Sequence, residues 1–250
     1  MAKTHPLRIA IGIPARFNSS RFPGKPLHQI AGKPMIGHVI ERALATQLGQ
    51  VIVATDDKRI ATVAETFGAT ICLTSPDHQS GTERLAEAMA DVACDVVINV
   101  QGDEPLIDPA AIHAVINPFE NDPQLPMATL AHPIHRSEDL NDPNVVKVVC
   151  NAKNHALYFS RANIPFVRNT NAAAPALQHV GLYAYQKDFL CDYPSLTPCA
   201  NEQAEQLEQL RVLHHGYTIA VTCGDYNCIG VDTPHDADRV EALLLSRHFH

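Results

Sequence analysis

LRIAIGI, residues 7–13, is a nearly unbroken apolar run followed at once by a polar loop over residues 14–33. A strand that faces water alternates apolar and polar residues, whereas a strand covered on both faces is apolar throughout. The run therefore predicts a buried strand of a mostly parallel sheet. Working outward, Pro34 suits the first position of a helix, since its φ is already helical and its missing N–H is not needed there. Ile36, Val39, Ile40, Ala43 and Leu44 fall on one face of that helix, and Gly49 is expected to end it. A strand at 51–54, a helix at 57–67 stopped by Gly68, and a strand at 70–73 follow. A helix over 81–92 is expected next, opened by a Ser80–Glu83 capping box. VVINV at 96–100 is a fourth strand, again apolar throughout. Three β-α units in the first hundred residues specify an α/β architecture of three layers around a mostly parallel sheet.

The second half is less regular. Strands are expected at 127–131, 145–150, 156–159 and 179–185, with residues 169–176 (NTNAAAPA) as an exposed loop. Residues 202–215 predict one amphipathic helix with Ala204, Leu207, Leu210 and Leu213 inward and Gly216 at its end. Short strands at 218–222 and 228–231 precede a last helix opened by Pro234. No linker or long repeat divides the chain, so residues 1–250 are read as a single domain. Its core spans about 1–125 and 186–250, and about 126–185 form a β-rich portion.

A chain of 250 residues with 46% hydrophobic side chains can bury a core without disulfides or a structural metal. The seven cysteines are odd in number, form no C-x-x-C pair, and sit partly in apolar runs, which points to a reducing interior. No signal-like or membrane-length apolar segment is present, so a soluble, cytoplasmic protein is expected. The net charge of -8 argues against a broad nucleic-acid surface. That total conceals a split: residues 1–40 carry Lys3, Arg8, Arg16, Arg21, Lys25 and Lys33 and no acid.

Three loops could carry chemistry. PARFNSSRFPGKP, residues 14–26, leaves the C-terminal end of the first strand, where open α/β sheets place their ligands. Its Arg16, Arg21 and Lys25 with small and hydroxyl residues suit a phosphate, or make a solvated basic loop. It is neither a P-loop nor a G-x-G-x-x-G dinucleotide turn. In QGDEP, residues 101–105, Asp103 at the end of a buried strand can hold a hard cation with substrate phosphates. The same segment could be a plain strand-to-helix turn with Glu104 or Asp108 as cap. In GVDTP, residues 230–234, Asp232 or Thr233 before Pro234 looks first like a helix cap. His132 and His135 flank Pro133, which defeats a helical zinc pair, and neither H-E-x-x-H nor G-x-S-x-G occurs. His214 and His215 complement a helix C-terminus.

Together these loops, with VATDD (53–57), TSPDHQSGTER (74–84), FSR (159–161) and EQLEQLR (205–211), resemble the 3-deoxy-manno-octulosonate cytidylyltransferases, or CMP-Kdo synthetases, over nearly the whole chain. Arg16 and the later Pro-Gly-Lys are shared with CMP-sugar synthetases at large, whereas the 78–84 and 205–211 segments point to the Kdo branch. Phe17 and Phe22 are minor departures.

The resemblance implies a Rossmann-like nucleotidyltransferase fold with a mixed, mostly parallel sheet and a β-rich dimerisation portion. It implies transfer of CMP from CTP to 3-deoxy-D-manno-octulosonate (Kdo) for lipopolysaccharide synthesis, with Mg2+ as cofactor and a homodimer as the assembly. Arg16 and Lys25 would hold the triphosphate, and Asp103 and Asp232 would converge on Mg2+, which reverses the local reading of Asp232 as a cap. Ala15, Ser80, Gly81 and Thr82 would line the cytosine pocket, and Gln101 would meet ribose or sugar. For the acceptor, Arg161 and His179 are expected to meet carboxylate or hydroxyls, joined by Glu208 and Gln209. Strand alternation puts His179, Gly181, Tyr183 and Tyr185 on one face. An exposed i,i+3 pair with Arg211 is the competing reading of Glu208. An 8-amino Kdo analogue or sialic acid as acceptor, and a non-catalytic nucleotide-binding domain, are the alternatives. A kinase is disfavoured by the missing Gly-rich loops.

Overall fold

The computed structural model describes residues 7–18, 22–169, 175–226 and 228–247. Arg21 and most of the loop expected at 169–176 lie outside the described residues. In chain order the first half contains β1 (Ile9–Ala15), β2 (Gln29–Ile30), β3 (Lys33–Pro34), α1 (Met35–Ala45), β4 (Gly49–Thr55), α2 (Lys58–Thr66), β5 (Thr70–Leu73), α3 (Gly81–Met89) and β6 (Val96–Asn99). The second half contains α4 (Pro109–Ala114), α5 (Asn117–Asn121), β7 (Met127–Pro133), β8 (Lys147–Cys150), β9 (Ala156–Ser160), β10 (Leu177–Gln186), α6 (Lys187–Asp192), α7 (Ala200–Glu205), α8 (Gln209–His214), β11 (Ile219–Cys223) and α9 (Pro234–Arg247).

The main sheet runs β11-β7-β10-β6-β1-β4-β5, with the β8–β9 hairpin added through β8 beside β10. β1 is flanked by parallel β4 and β6, and β10 is antiparallel to both β6 and β7. The buried strands obey the two-residue period. Ile11 and Ile13 of β1, Val51 and Val53 of β4, and Val96 and Ile98 of β6 pack with α1 residues Ile36, Val39 and Ile40 on one face. Ala10, Ile52, Ala54 and Val97 meet Leu85 and Met89 of α3 on the other. A Cβ on Gly12 would stand 2.6 Å from Leu85, so the glycine lets α3 lie close on β1.

Several boundaries differ from the sequence reading. Gly49 opens β4 rather than ending α1. Its missing side chain admits Ile9 O, which a Cβ would meet at 1.9 Å. Residues 202–215 are not one helix: Gln206 takes a left-handed φ of 54° and separates α7 from α8, so Ala204 is exposed. The stretch from Cys228 to Val231 is not a strand. The 126–185 portion is not set apart from the core, because β7 and β10 are interior strands of the same sheet. No helix among the described residues is long and apolar enough to cross a membrane.

Candidate active site

After β5 at one edge the chain returns to the other side of β1 as β6. The crevice beyond the C-terminal ends of β1 and β6 is therefore a switch point of the sheet, where diverging connections leave a cleft. Past β1, the Gly24 N–H donates to Phe17 O at 2.9 Å, and Gly24 adopts a φ of 71° that a side chain would strain. This bend starts the one-turn 3-10 helix Lys25–Leu27. Phe22 and Ile30 pack with Met35, Leu106, Val231, Val240 and Leu244, a separate apolar cluster that ties this loop to the β6 loop and α9.

That cluster draws three distant charges together. Lys25 Nζ donates to Asp103 Oδ2 at 2.5 Å and to Val231 O at 2.9 Å, and lies 3.8 Å from Asp232 Oδ1. The Val231 N–H donates to Asp103 O at 2.9 Å. Capping of α9 falls to its neighbours. Asp236 Oδ2 accepts from the main-chain N–H groups of Asp232 (3.1 Å) and Thr233 (2.9 Å), and the Asp232 carboxylate turns towards Lys25. Asp108 caps α4, accepting from Ala110 N–H at 2.8 Å.

Ala15, Arg16, Lys25, Ser80, Gly81, Gln101, Asp103 and Asp232 line a chamber of about 230 Å³. A Cβ at Gly102 would approach Pro14 O to 2.9 Å, so glycine is needed where the β6 loop passes the end of β1. Ser80 Oγ accepts from Glu83 N–H at 3.2 Å and so caps α3, while the Glu83 carboxylate accepts from Gln79 N–H, one residue short of a full capping box. Arg84, which the sequence reading did not single out, is buried against this chamber, with Nη1 donating to Thr74 Oγ1 at 2.5 Å.

A second chamber of about 480 Å³ shares Gly81, Gln101, Glu208 and Asp232 with the first. Thr82 faces this side and donates to Glu208 Oε2 at 3.0 Å. His179, Gly181, Tyr183 and Tyr185 line one wall, as strand alternation requires. The register of β10 against β7 slips by two residues between Val180 and Tyr183, an even number that keeps the alternation in phase. Thr129 Oγ1 fills the irregularity, donating to Leu182 O at 2.8 Å, and its contact with His179 Nε2 at 3.0 Å gives that ring nitrogen the proton. Burial pulls the His179 pKa down to about 3, so the ring is neutral at physiological pH.

Glu208 and Gln209 reach this chamber because α7 and α8 are broken at Gln206. The Glu208 side chain is open to the cleft, yet desolvation by the protein packed around it raises its carboxyl above the ordinary value, against the lowering effect of the Thr82 hydroxyl. Arg211 engages Glu202, with Nη2 donating to Oε1 at 2.6 Å, so Arg211 is not the partner that the competing reading of Glu208 required. Glu104 also borders the chamber; burial, then the charge of Asp103, pushes its carboxyl up to about 8.

The structure thus gathers every expected site residue but one at the two chambers. Arg161 lines neither: its guanidinium nitrogens donate to the carbonyls of Glu205, Pro143 and Gln206. Asn144 and Tyr193 line the larger chamber from outside every motif the sequence singled out, and Glu104 and Gln206 line it from the QGDEP and EQLEQLR segments without having been assigned to the acceptor.

A cation-lined chamber at the switch point of an α/β sheet, opening into a second chamber walled by hydroxyl, amide and carboxylate groups, defines a nucleotidyltransferase. The family model described as "Cytidylyltransferase" matches residues 9–219. A 3-deoxy-manno-octulosonate cytidylyltransferase of Solibacter usitatus is 51% identical over 240 residues, covering 96% of this chain and 95% of that one. One of Syntrophobacter fumaroxidans is 52% identical over 243 residues, covering 95% and 97%. The solved structure of a CMP:2-keto-3-deoxy-manno-octonic acid synthetase complexed with CTP superposes with a TM-score of 0.91 at 46% identity, covering 96% of this chain and 99% of that one. The chain belongs to the 3-deoxy-manno-octulosonate cytidylyltransferase family.

Proposed function

We propose that this protein transfers the cytidylyl group of CTP to Kdo, giving CMP-Kdo and pyrophosphate. The observation that carries the reading is the junction of the two chambers at Gly81, Gln101, Glu208 and Asp232, where a nucleotide on one side meets an acceptor on the other. In the reaction an acceptor hydroxyl oxygen bonds to the α-phosphorus of CTP, the bond to the β-phosphate oxygen breaks, and the hydroxyl proton is lost. Arg16 and Lys25 offset the charge that gathers on the departing pyrophosphate. Arg84, held by Thr74, adds a buried cation beside the nucleotide.

Asp103 and Asp232 are the residues that would hold Mg2+. Their carboxylates already converge on one cation, the Lys25 ammonium. Two carboxylates would leave positions on the ion for phosphate oxygens and water. Bound there, Mg2+ supplies Lewis acidity to the phosphate and the attacking hydroxyl. Gln101 and Glu208 orient the acceptor hydroxyls, and neutral His179 offers hydrogen bonding rather than charge. Exposed Leu157, Phe166 and Val167, in and after β9, supply an apolar surface for a homodimer, with the cytoplasm as the compartment.

The test is pyrophosphate release with CTP, Mg2+ and each of Kdo, its 8-amino analogue and sialic acid. Release with Kdo is expected to be fastest, and silence with every Kdo-type acid would overturn the reading. Sedimentation is expected to return twice the chain mass.

A further inference from the structure

Much of the larger chamber is walled by main chain that belongs to no regular element. Asn144 and Val146 reach it from the segment before β8, and Gln206, Leu207 and Glu208 reach it from the break between α7 and α8. Such segments need an external constraint to hold side chains still, because they lack the repeating hydrogen bonds of a helix or sheet. Two cations supply it.

Lys147, the first residue of β8, is fully buried. Its Nζ donates to the carbonyls of Asp142 (2.9 Å), Val145 (2.6 Å) and Arg161 (2.7 Å). An ammonium has three N–H donors and a neutral amine only two, so three short bonds to carbonyl oxygens use every donor of the charged form. Burial lowers the lysine pKa, and the negative charges of Asp142 and Glu205 act against that loss. Arg161, whose own carbonyl Lys147 holds, sends Nε to Glu205 O at 2.7 Å, Nη1 to Pro143 O at 2.9 Å and Nη2 to Gln206 O at 3.4 Å. Its main-chain N–H and the Ser160 hydroxyl hold the Glu205 carboxylate at 2.9 and 2.7 Å. The planar guanidinium reaches three carbonyls at once, a geometry that a lysine in the same place lacks.

We propose that Lys147 and Arg161 are positioning residues for the transfer, a two-cation clasp that locks the 142–146 segment to the α7–α8 break and thereby sets Asn144, Gln206 and Glu208 around the acceptor. The proposal rests on the reading of the larger chamber as the acceptor site. Of the residues these segments carry, only Glu208 also borders the nucleotide chamber. Loosening the clasp should therefore weaken acceptor binding far more than CTP binding.

The experiment compares the full-length wild type with Arg161→Lys and Lys147→Met. Pyrophosphate release is measured with Kdo varied at saturating CTP and with CTP varied at saturating Kdo. CTP binding is followed by calorimetry and unfolding by heating. Arg161→Lys keeps the charge and loses the fork; it is expected to raise the KM for Kdo roughly tenfold and leave the CTP Kd within about twofold, since sub-ångström misplacement acts on the substrate those loops touch. Lys147→Met is expected to lower the melting temperature as well, because three carbonyls lose their donor. Should it fail to fold, Arg161→Lys alone decides the matter. A lowered melting temperature with an unchanged KM for Kdo would make the clasp a structural brace only, and an equal rise in both KM values would also overturn the proposal. If instead the wild type releases no pyrophosphate with Kdo, it is the functional reading that falls.

Discussion

The two chambers of the cleft are built by different means. The nucleotide chamber is made from residues at the ends of β1 and β6 and just inside α3, each in a short motif whose chemistry can be read where it stands. The acceptor chamber is made from β10, from the segment before β8, and from the break between α7 and α8. Parallel strands deliver their C-terminal ends to one edge of the sheet and so pre-assemble a phosphate site. The acceptor side depends on β10 running the other way, which carries its N-terminal residues His179 and Gly181 to that same edge. On the proposed reading, the parallel scaffold carries the nucleotide side, and the antiparallel strand with the loops beside it carries the choice of acceptor.

Mutations should separate the two sides, and the largest effect belongs to the junction of carboxylates. Asp103→Asn removes one of the two anionic ligands and is expected to lower kcat on the order of a thousandfold, while CTP binding without metal stays measurable by calorimetry. Full turnover in that variant would mean that the metal has been assigned to the wrong residues. Next, Gly102→Ala drives a methyl group towards Pro14 O, 2.9 Å from where it would stand, and is expected to cost about 1–3 kcal/mol of stability. Its activity defect should appear in the CTP KM rather than in that of the acceptor, as steady-state titration of each substrate would reveal. Glu208→Gln keeps a carbonyl for the Thr82 hydroxyl but loses the charge. We expect about a tenfold rise in the KM for Kdo with little change in turnover at saturation.

The smallest effect is one of pH. His179 is held neutral with a pKa of about 3 against an ordinary 6.5, so between those values the unfolded chain binds more protons than the fold. Its contribution to stability is whole above about pH 6.5 and declines as the pH drops towards 3, by about 1.4 kcal/mol per unit at most. Denaturation by urea across that range should show a shallower pH slope for His179→Asn than for the wild type. Equal slopes would mean that the ring titrates normally.

Much of this was legible in the residues. The apolar runs at 7–13 and 96–100 foretold β1 and β6, and Arg16, Lys25 and Asp103 stood out by position and charge, whereas Asp232 read locally as a helix cap and only the resemblance moved it to the site. Periodicity failed at 202–215, where Ala204 before the break and Leu210 and Leu213 after it satisfy one helical pattern. The left-handed Gln206 carries no mark that a sequence reading could use, because glutamine is an ordinary helix former. Arg161 shows a related limit: a cation beside a strand suits a carboxylate and a backbone carbonyl equally well, and its three carbonyl partners are seen only in the structure.

Local pattern was enough for the α/β class, for the early parallel strands and for placing Arg16 and Lys25 beyond the end of β1, since burial on both faces of a strand is written in its composition. The meeting of Lys25 with two carboxylates 78 and about 200 residues further on, and the enclosure of the acceptor by β10 and its clasped loops, were decided only by the tertiary structure. Those contacts depend on strand order, strand direction and backbone carbonyls. None of the three is a property of a side chain in its own stretch of chain.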